Sequence, residues 1–281
     1  MGLVFAAIAP HGSMAIAEAC APEQLTLAAA TRAAMEELGR RFEAARPEAA
    51  IVLTPHNVHV EGAMAVVVAG SVAGALSDTT QAGETIRSVA LRSPTDRELA
   101  AACLGALRET GVAVRAISYG GNDAGTAVMP MDWAVLVPLW FLGGRHDPPV
   151  PVVVISPARD LSSEHHVRAG AALAAAAEAS GRAVALVASC DHGHAHQASG
   201  PYGFHPAAAE YDAEVVRLVR EDDLGGLLRI DARLISDAKC DSWWQLLMLH
   251  GALGDGWRGE LLSYEAPTYF GMFCAAYAPV R

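Results

Sequence analysis

The feature that most restricts how this chain can fold is a repeated pairing. Short runs of small and β-branched apolar residues, with no polar alternation, are followed by Ala-rich helical stretches. A run such as AAIVL (49–53) has no solvent-facing side, so it reads as a strand covered on both faces. Strands of that kind separated by helix-length segments belong to βαβ crossovers and a parallel sheet. The pattern predicts strands over 3–9, 50–54, 63–69, 112–117, 150–155 and 183–189. It predicts helices over 22–45, 95–110, 162–179, 206–220 and 241–253. Glu23 falls in the first turn of the first helix, where a negative charge suits the dipole, and the 160–164 stretch reads as an N-terminal capping region. Two further apolar runs near the end, ELLSYEAPTYF (260–270) and GMFCAAYAPV (271–280), are suited to pairing with each other. The polar segment 71–92 reads as a loop or hairpin excursion. The expectation is an α/β fold, residues 1–281 forming a single domain with a central mixed, largely parallel sheet flanked by helices.

Composition narrows the partners. The 281 residues are 52% hydrophobic and 18% charged, enough to fill a sizeable core. A formal net charge of −11 argues against a nucleic-acid partner, because phosphates must be met by Lys and Arg. The stretch 135–144 is among the longest apolar runs and falls short of the ~20 residues that span a bilayer. The start, GLVFAAIAP (2–10), is too short for a secretory signal. No membrane partner and a cytoplasmic location are therefore expected. Five cysteines without a CxxC pair read as reduced structural thiols, and Cys190, beside a run of histidines, reads first as a small hydrophobe.

Three predicted strands end in histidine: VFAAIAPHG (4–12) in His11, TPHNVH (54–59) in His56 and His59, and SCDHGHAH (189–196) in His192, His194 and His196. One such histidine is ordinarily a hydrogen-bonded structural residue, but three strand ends in one chain point to a shared site. In open α/β sheets ligands bind beyond the carboxyl ends of the strands. Neutral imidazole is a common ligand for transition metals. Two histidines with one carboxylate leave positions open for substrate and dioxygen, as in non-haem Fe(II) oxygenases. His59 and Asn57 are candidates for steadying a ligating ring, with plain pocket lining as the alternative for His59. Tyr202 lies in a Gly/Pro loop, SGPYGFHP (199–206), that either covers a bound ring or only connects. The Gly-rich stretch 120–125 lacks the strand–GxGxxG–helix order of a dinucleotide site.

Taken in order along the chain, APHG (9–12), TPHNVH (54–59), MDWAVLVPLWF (131–141), VVVISPARDLSSEHH (152–166), SCDHGHAH (189–196) and DAKCDSWWQLLMLHGAL (237–253) resemble the class III extradiol ring-cleavage dioxygenases. This superfamily holds the protocatechuate 4,5-dioxygenase β subunit, the catalytic subunit of 2-aminophenol 1,6-dioxygenase and the Memo-like proteins. The resemblance covers nearly the whole chain. It implies that His11 and His56 bind Fe(II) and that His194, five residues after Ser189, is the acid/base. His192 and His196 would then be a neighbouring hydrogen-bond partner and a surface residue. The family's third ligand is usually a Glu near the start of the last long helix. Here that region offers Asp237, the preferred candidate, and Asp241, whose competing reading is the N-cap of the helix that follows. Where many members read Asp-His-Gly, this chain has Asp132-Trp133-Ala134. That implies an aminophenol or another substituted aromatic, with Trp133 packing on the substrate ring or in the core. The implied reaction opens a catecholic or 2-aminophenolic ring with O2. The implied partners are a small aromatic substrate and O2, with a homodimer or a partner subunit. Two other readings stand beside it: a non-catalytic Memo-like metal-binding protein, and a zinc-dependent hydrolase on the same ligands.

Overall fold

In β2 (Ala49–Leu53) every side chain is buried. Ala49, Ile51 and Leu53 enter one core cluster, and Ala50 and Val52 enter another. The same division holds in β1 (Gly2–Ala9), with Ala6 and Ile8 against Ala7 and Ala9, and in β9 (Ala183–Ser189), with Leu186 and Ala188 against Ala185 and Val187. This is the two-residue period of a strand read into two cores, one on each face of the sheet. The computed structural model describes residues 1–79 and 85–280.

Between β1 and β2 runs α1 (Ala29–Ala45). The remaining elements, in chain order, are β3 (Met64–Val67), β4 (Ser71–Thr79), β5 (Thr85–Pro94), α2 (Arg97–Glu109), β6 (Val114–Ile117), β7 (Val128–Pro130), α3 (Trp133–Phe141) and β8 (Val152–Ser156). After these come α4 (Ser163–Ala179), β9, α5 (Ala207–Arg220), α6 (Ala232–Asp237), α7 (Trp243–Leu253), β10 (Trp257–Glu265) and β11 (Met272–Pro279). The main sheet has eight strands in the order β10-β11-β1-β9-β2-β8-β3-β6. Its centre, β1-β9-β2-β8, is wholly parallel, and β11 and β3 join that centre antiparallel. The expected pairing of the two last runs is present as the antiparallel β10–β11 pair. On one face lie α1, α3 and a small sheet of order β5-β4-β7; on the other lie α2, α4, α5 and α7.

One expected element differs. The helix expected over 22–45 is split: Pro22–Gln24 is a 3-10 turn, and α1 begins only at Ala29. Near the start of α1 the Thr31 N–H donates to Glu265 Oε1 (2.6 Å), so the end of β10 satisfies a donor that a longer helix would have satisfied internally. Of the two readings of the polar 71–92 segment, loop or hairpin, the structure has the hairpin of β4 and β5. Residues 80–84 of that segment lie outside the described residues.

The parallel centre fixes the site. Ala9 of β1 is in register with Ser189 of β9, and Leu53 of β2 with Ala188 of β9 and Ile155 of β8. Four strands therefore end at one level, and the residues just past them share one edge.

Candidate metal centre

His11 follows β1, His56 follows β2, and Asp241 leads into α7. Their ligand atoms all lie within 4.8 Å of one another. Asp241 Oδ2 is 3.0 Å from His56 Nε2 and 3.4 Å from His11 Nε2, yet this buried oxygen has no hydrogen-bond partner. Three good donors thus converge without bonding to one another, which is what an ion-binding triad looks like when only its side chains are considered.

The hydrogen bonds around His11 fix its tautomer. Ser189 Oγ donates to the Ala134 carbonyl (2.6 Å), which uses its one proton. It therefore accepts from His11 Nδ1–H (2.9 Å), and in the neutral ring Nε2 keeps its lone pair toward Asp241. The His11 N–H donates to Asp191 Oδ1 (3.0 Å), and Asp191 Oδ2 stands 3.4 Å from His11 Nε2. Burial disfavours the imidazolium of His11, but Asp191 and Asp241 outweigh it and its pKa is raised. For Asp241, burial pushes upward while the facing imidazoles and Arg159 hold the carboxyl far below its usual range. Arg159, just past β8, bonds Asp241 Oδ1, so Oδ2 is the oxygen left for the triad.

The expectation that Asp237 supplies the carboxylate is corrected by this geometry. Asp237 is the last residue of α6 and is exposed, outside the triad. Asp241 is stitched inward by its N–H to the His192 carbonyl (3.3 Å). It does not cap α7; the N-cap is Ser242, which makes no side-chain capping bond.

His194 stands at the rim. Its Nδ1 lies 2.8 Å from the His192 carbonyl, which can only accept, so Nδ1 carries a proton and in the neutral ring Nε2 keeps its lone pair. Phe270 stacks on the ring at 5.5 Å between centroids, and Tyr202 meets it edge-on at 6.0 Å. His11, His56, His194, Asp191, Trp133 and Tyr202 line one cavity of about 460 Å³, within the usual range for small ligands. Trp133 is held there because Asp132 caps α3 through Val135 N–H (3.2 Å) and also accepts from Asn57 N–H (2.6 Å). Its ring centroid lies 4.8 Å from that of His56.

Other expected residues fall elsewhere. His59 is exposed in a shallow groove with Pro55 and Pro130, outside the His194 cavity. The His192 ring is buried against Phe273 at 3.8 Å with neither nitrogen hydrogen-bonded; only its backbone carbonyl serves His194. Burial lowers its pKa well below that of an ordinary histidine. His196 is not a free surface residue: its Nε2 pairs with buried Asp212 (2.8 Å), which also accepts from Gly193 N–H (2.7 Å) and Tyr264 OH (2.9 Å). That network anchors the loop bearing His194. Asp191, Ser189 and Arg159 were not singled out from sequence as parts of the centre. The signal available for Asp191 was its place two residues past a strand end, matching His11 past β1.

Comparison with known proteins gives a consistent family. The family model described as the catalytic LigB subunit of aromatic ring-opening dioxygenase matches residues 5–274. "Protein CA_C1420" of Clostridium acetobutylicum is 24% identical over 258 residues, which is 91% of this chain and 53% of that protein. The chain thus spans about half the length of this curated relative. The crystal structure of an uncharacterized Escherichia coli K12 protein, JW3007, superposes with a TM-score of 0.63 at 18% identity. It covers 97% of this chain and 99% of that one, and it supports the fold.

Proposed function

The chain belongs to the family of the catalytic LigB subunit of aromatic ring-opening dioxygenase, and from that premise we propose that it is an Fe(II)-dependent extradiol dioxygenase acting on a catecholic or 2-aminophenolic ring. The observation that carries this reading is the convergence of His11 Nε2, His56 Nε2 and the unpartnered Asp241 Oδ2 beside a free imidazole nitrogen on His194. The donor set fits Fe(II): two neutral imidazoles and one carboxylate on one side, with a cavity on the other. A divalent iron held there would supply the Lewis acidity that favours an ionised ring hydroxyl and the electrons that activate dioxygen.

The chain's own residues do the rest. His194 Nε2 takes the proton from a ring hydroxyl as the substrate binds, and returns it to the product as the ring opens. Its Nδ1–H bond to the His192 carbonyl keeps that nitrogen aimed at the cavity. Trp133 and Tyr202 both line the cavity and displace water from a bound ring. Arg159 and Ser189 hold the Asp241 and His11 side chains in place.

The same donors suit zinc, so the test reads metal and reaction together. Anaerobically purified chain is assayed for iron and zinc, then screened for O2 uptake with catechols and aminophenols. Iron with O2 uptake supports the dioxygenase; zinc without O2 uptake supports a hydrolase; iron without O2 uptake supports a non-catalytic member.

A further inference from the structure

At the end of α7 remote from Asp241 lies a separate hollow of about 190 Å³, below the usual range for drug-sized ligands. The 11 residues of α7, roughly 16 Å of helix, stand between it and the metal centre. Its wall joins the loop after α5, the end of α7, and the facing ends of β10 and β11.

The charge in this wall is one-sided. α5 and α7 both end here, and each brings the partly negative end of its dipole. Carboxylates are disfavoured at such ends, yet three line the hollow: Asp222 and Asp223 past α5, and Asp255 past α7. Two of them are partly answered. Asp222 accepts from Gly259 N–H (2.6 Å) and lies 3.9 Å from Arg258; Asp223 accepts from Gly226 N–H (3.0 Å) and pairs with Arg229 (2.5 Å). Neither arginine lines the hollow. Asp255 is exposed and, among the described residues, has no hydrogen bond or ion pair.

A second observation points to a ligand. Tyr277, only 3% exposed, stands in the same wall, and its hydroxyl has no hydrogen-bond partner. A buried phenol ordinarily finds one. Its ring lies against the β10 backbone: a Cβ on Gly259, its partner in the β10–β11 pair, would fall 2.5 Å from Tyr277 Cε1. His250 also lines the hollow and has no hydrogen bond among the described residues. Burial lowers its pKa despite Asp223 and Asp255, so the ring is neutral at pH 7 and offers a lone pair. Trp257 adds an indole on which a cation can lie. A metal ion fits this wall poorly. Among the described residues, the one group of three His, Cys, Asp or Glu side chains close enough to share an ion is His11, His56 and Asp241. The occupant that suits unused acceptors, negative charge and an aromatic wall is an organic cation with N–H donors.

We infer that this hollow binds a small primary alkylammonium ion, its N–H donors received by Asp255, His250 and the Tyr277 hydroxyl and its alkyl chain covered by Trp257. The site stands independently of the reaction at the metal centre.

The test titrates the full chain with n-butylammonium and with 1-butanol, its neutral counterpart, at constant ionic strength, read by ligand-observed NMR. Wild type is expected to bind the ammonium about tenfold more tightly, the scale of one charge-assisted hydrogen bond. Asp255→Asn, at an exposed position, is expected to lose that preference. Tyr277→Phe removes only an unpartnered hydroxyl, so the fold should persist while ammonium affinity falls about threefold and butanol binding is unchanged. Tetramethylammonium, which has the charge but no N–H, is expected to bind more weakly than butylammonium. Asp241→Ala is expected to keep the preference, because the triad lies at the other end of α7. Equal binding of butylammonium and butanol to wild type, or an undiminished preference in Asp255→Asn, overturns the site. So does unchanged ammonium affinity in Tyr277→Phe, or tetramethylammonium binding as tightly as butylammonium. Loss of the preference in Asp241→Ala would place the amine at the metal centre, and displacement of butylammonium by an equal concentration of Ca2+ would make the hollow a metal site; either result overturns the inference.

Discussion

His11 sits between two carboxylates, Asp191 and Asp241, and its behaviour without metal differs from its behaviour with one. Its folded pKa is raised despite burial. The stability it contributes is therefore fully present below its unfolded value of about 6.5 and is lost as pH rises through the folded value. A metal needs the neutral ring, so binding is favoured as that proton leaves. The metal-free chain should therefore lose stability to urea as pH rises above about 6.5, while metal affinity rises over the same interval; metal affinity that is flat or falls across it would contradict this account of His11. Asp241 is depressed, so its contribution is present at neutral pH and is lost on acidification through its low folded value. Asp241→Ala should abolish metal retention and Asp237→Ala should leave it intact, as read by metal analysis after gel filtration. His194→Ala should retain metal and lose roughly 10²–10⁴-fold in turnover, the usual worth of a positioned acid/base. Loss of metal in that variant would move His194 into the ligand set.

At the scale of elements, Asp241 depends on where α7 lies. A Cβ on Gly170 of α4 would fall 1.8 Å from the Met248 carbonyl oxygen, and one on Gly251 of α7 would fall 1.9 Å from that of Val167. Reciprocal glycines let the two helix backbones approach closely. Gly251→Ala should therefore destabilise by about 1–3 kcal/mol through overpacking and weaken metal binding, because α7 shifts with Asp241 at its head. Gly105→Ala in α2, where a Cβ meets nothing within 4 Å, should leave metal binding unchanged and raise stability by roughly 0.5–1 kcal/mol. Thermal melts with metal titration check both. The strands that carry the centre were legible because each is apolar on both faces and ends at a histidine. α6 was not: its six residues bury no side chain, so no apolar stripe betrays a helix. Without α6, Asp237 reads as chain free to turn inward; with α6, it is an exposed helix end. α3 is apolar nearly all round and so has no helical period to detect. Asp191 follows β9 by two residues as His11 follows β1, but that these two strands lie in register is displayed by the fold and not by the sequence.

The whole molecule is arranged so that four parallel strands of separate sequence origin deliver their ends to one edge, and helix packing brings Asp241 and Arg159 to that edge. Among the described residues no helix is long and apolar enough to cross a membrane. Aromatic side chains and two cations shape the space above the triad, and buried Asp212 anchors the loop of His194 from behind. On the proposed reading, this distribution separates metal holding by His11, His56 and Asp241 from proton transfer by His194, beside a cavity of about 460 Å³. The most direct test of that account is simultaneous measurement of O2 consumption and ring-opened product on iron-loaded chain, with catechols and aminophenols as substrates. The account predicts O2 uptake matched to the appearance of yellow product, abolished in Asp241→Ala and kept in Asp237→Ala. Iron-loaded chain that consumes no O2 with any of these rings, or that turns over undiminished without Asp241, would contradict it.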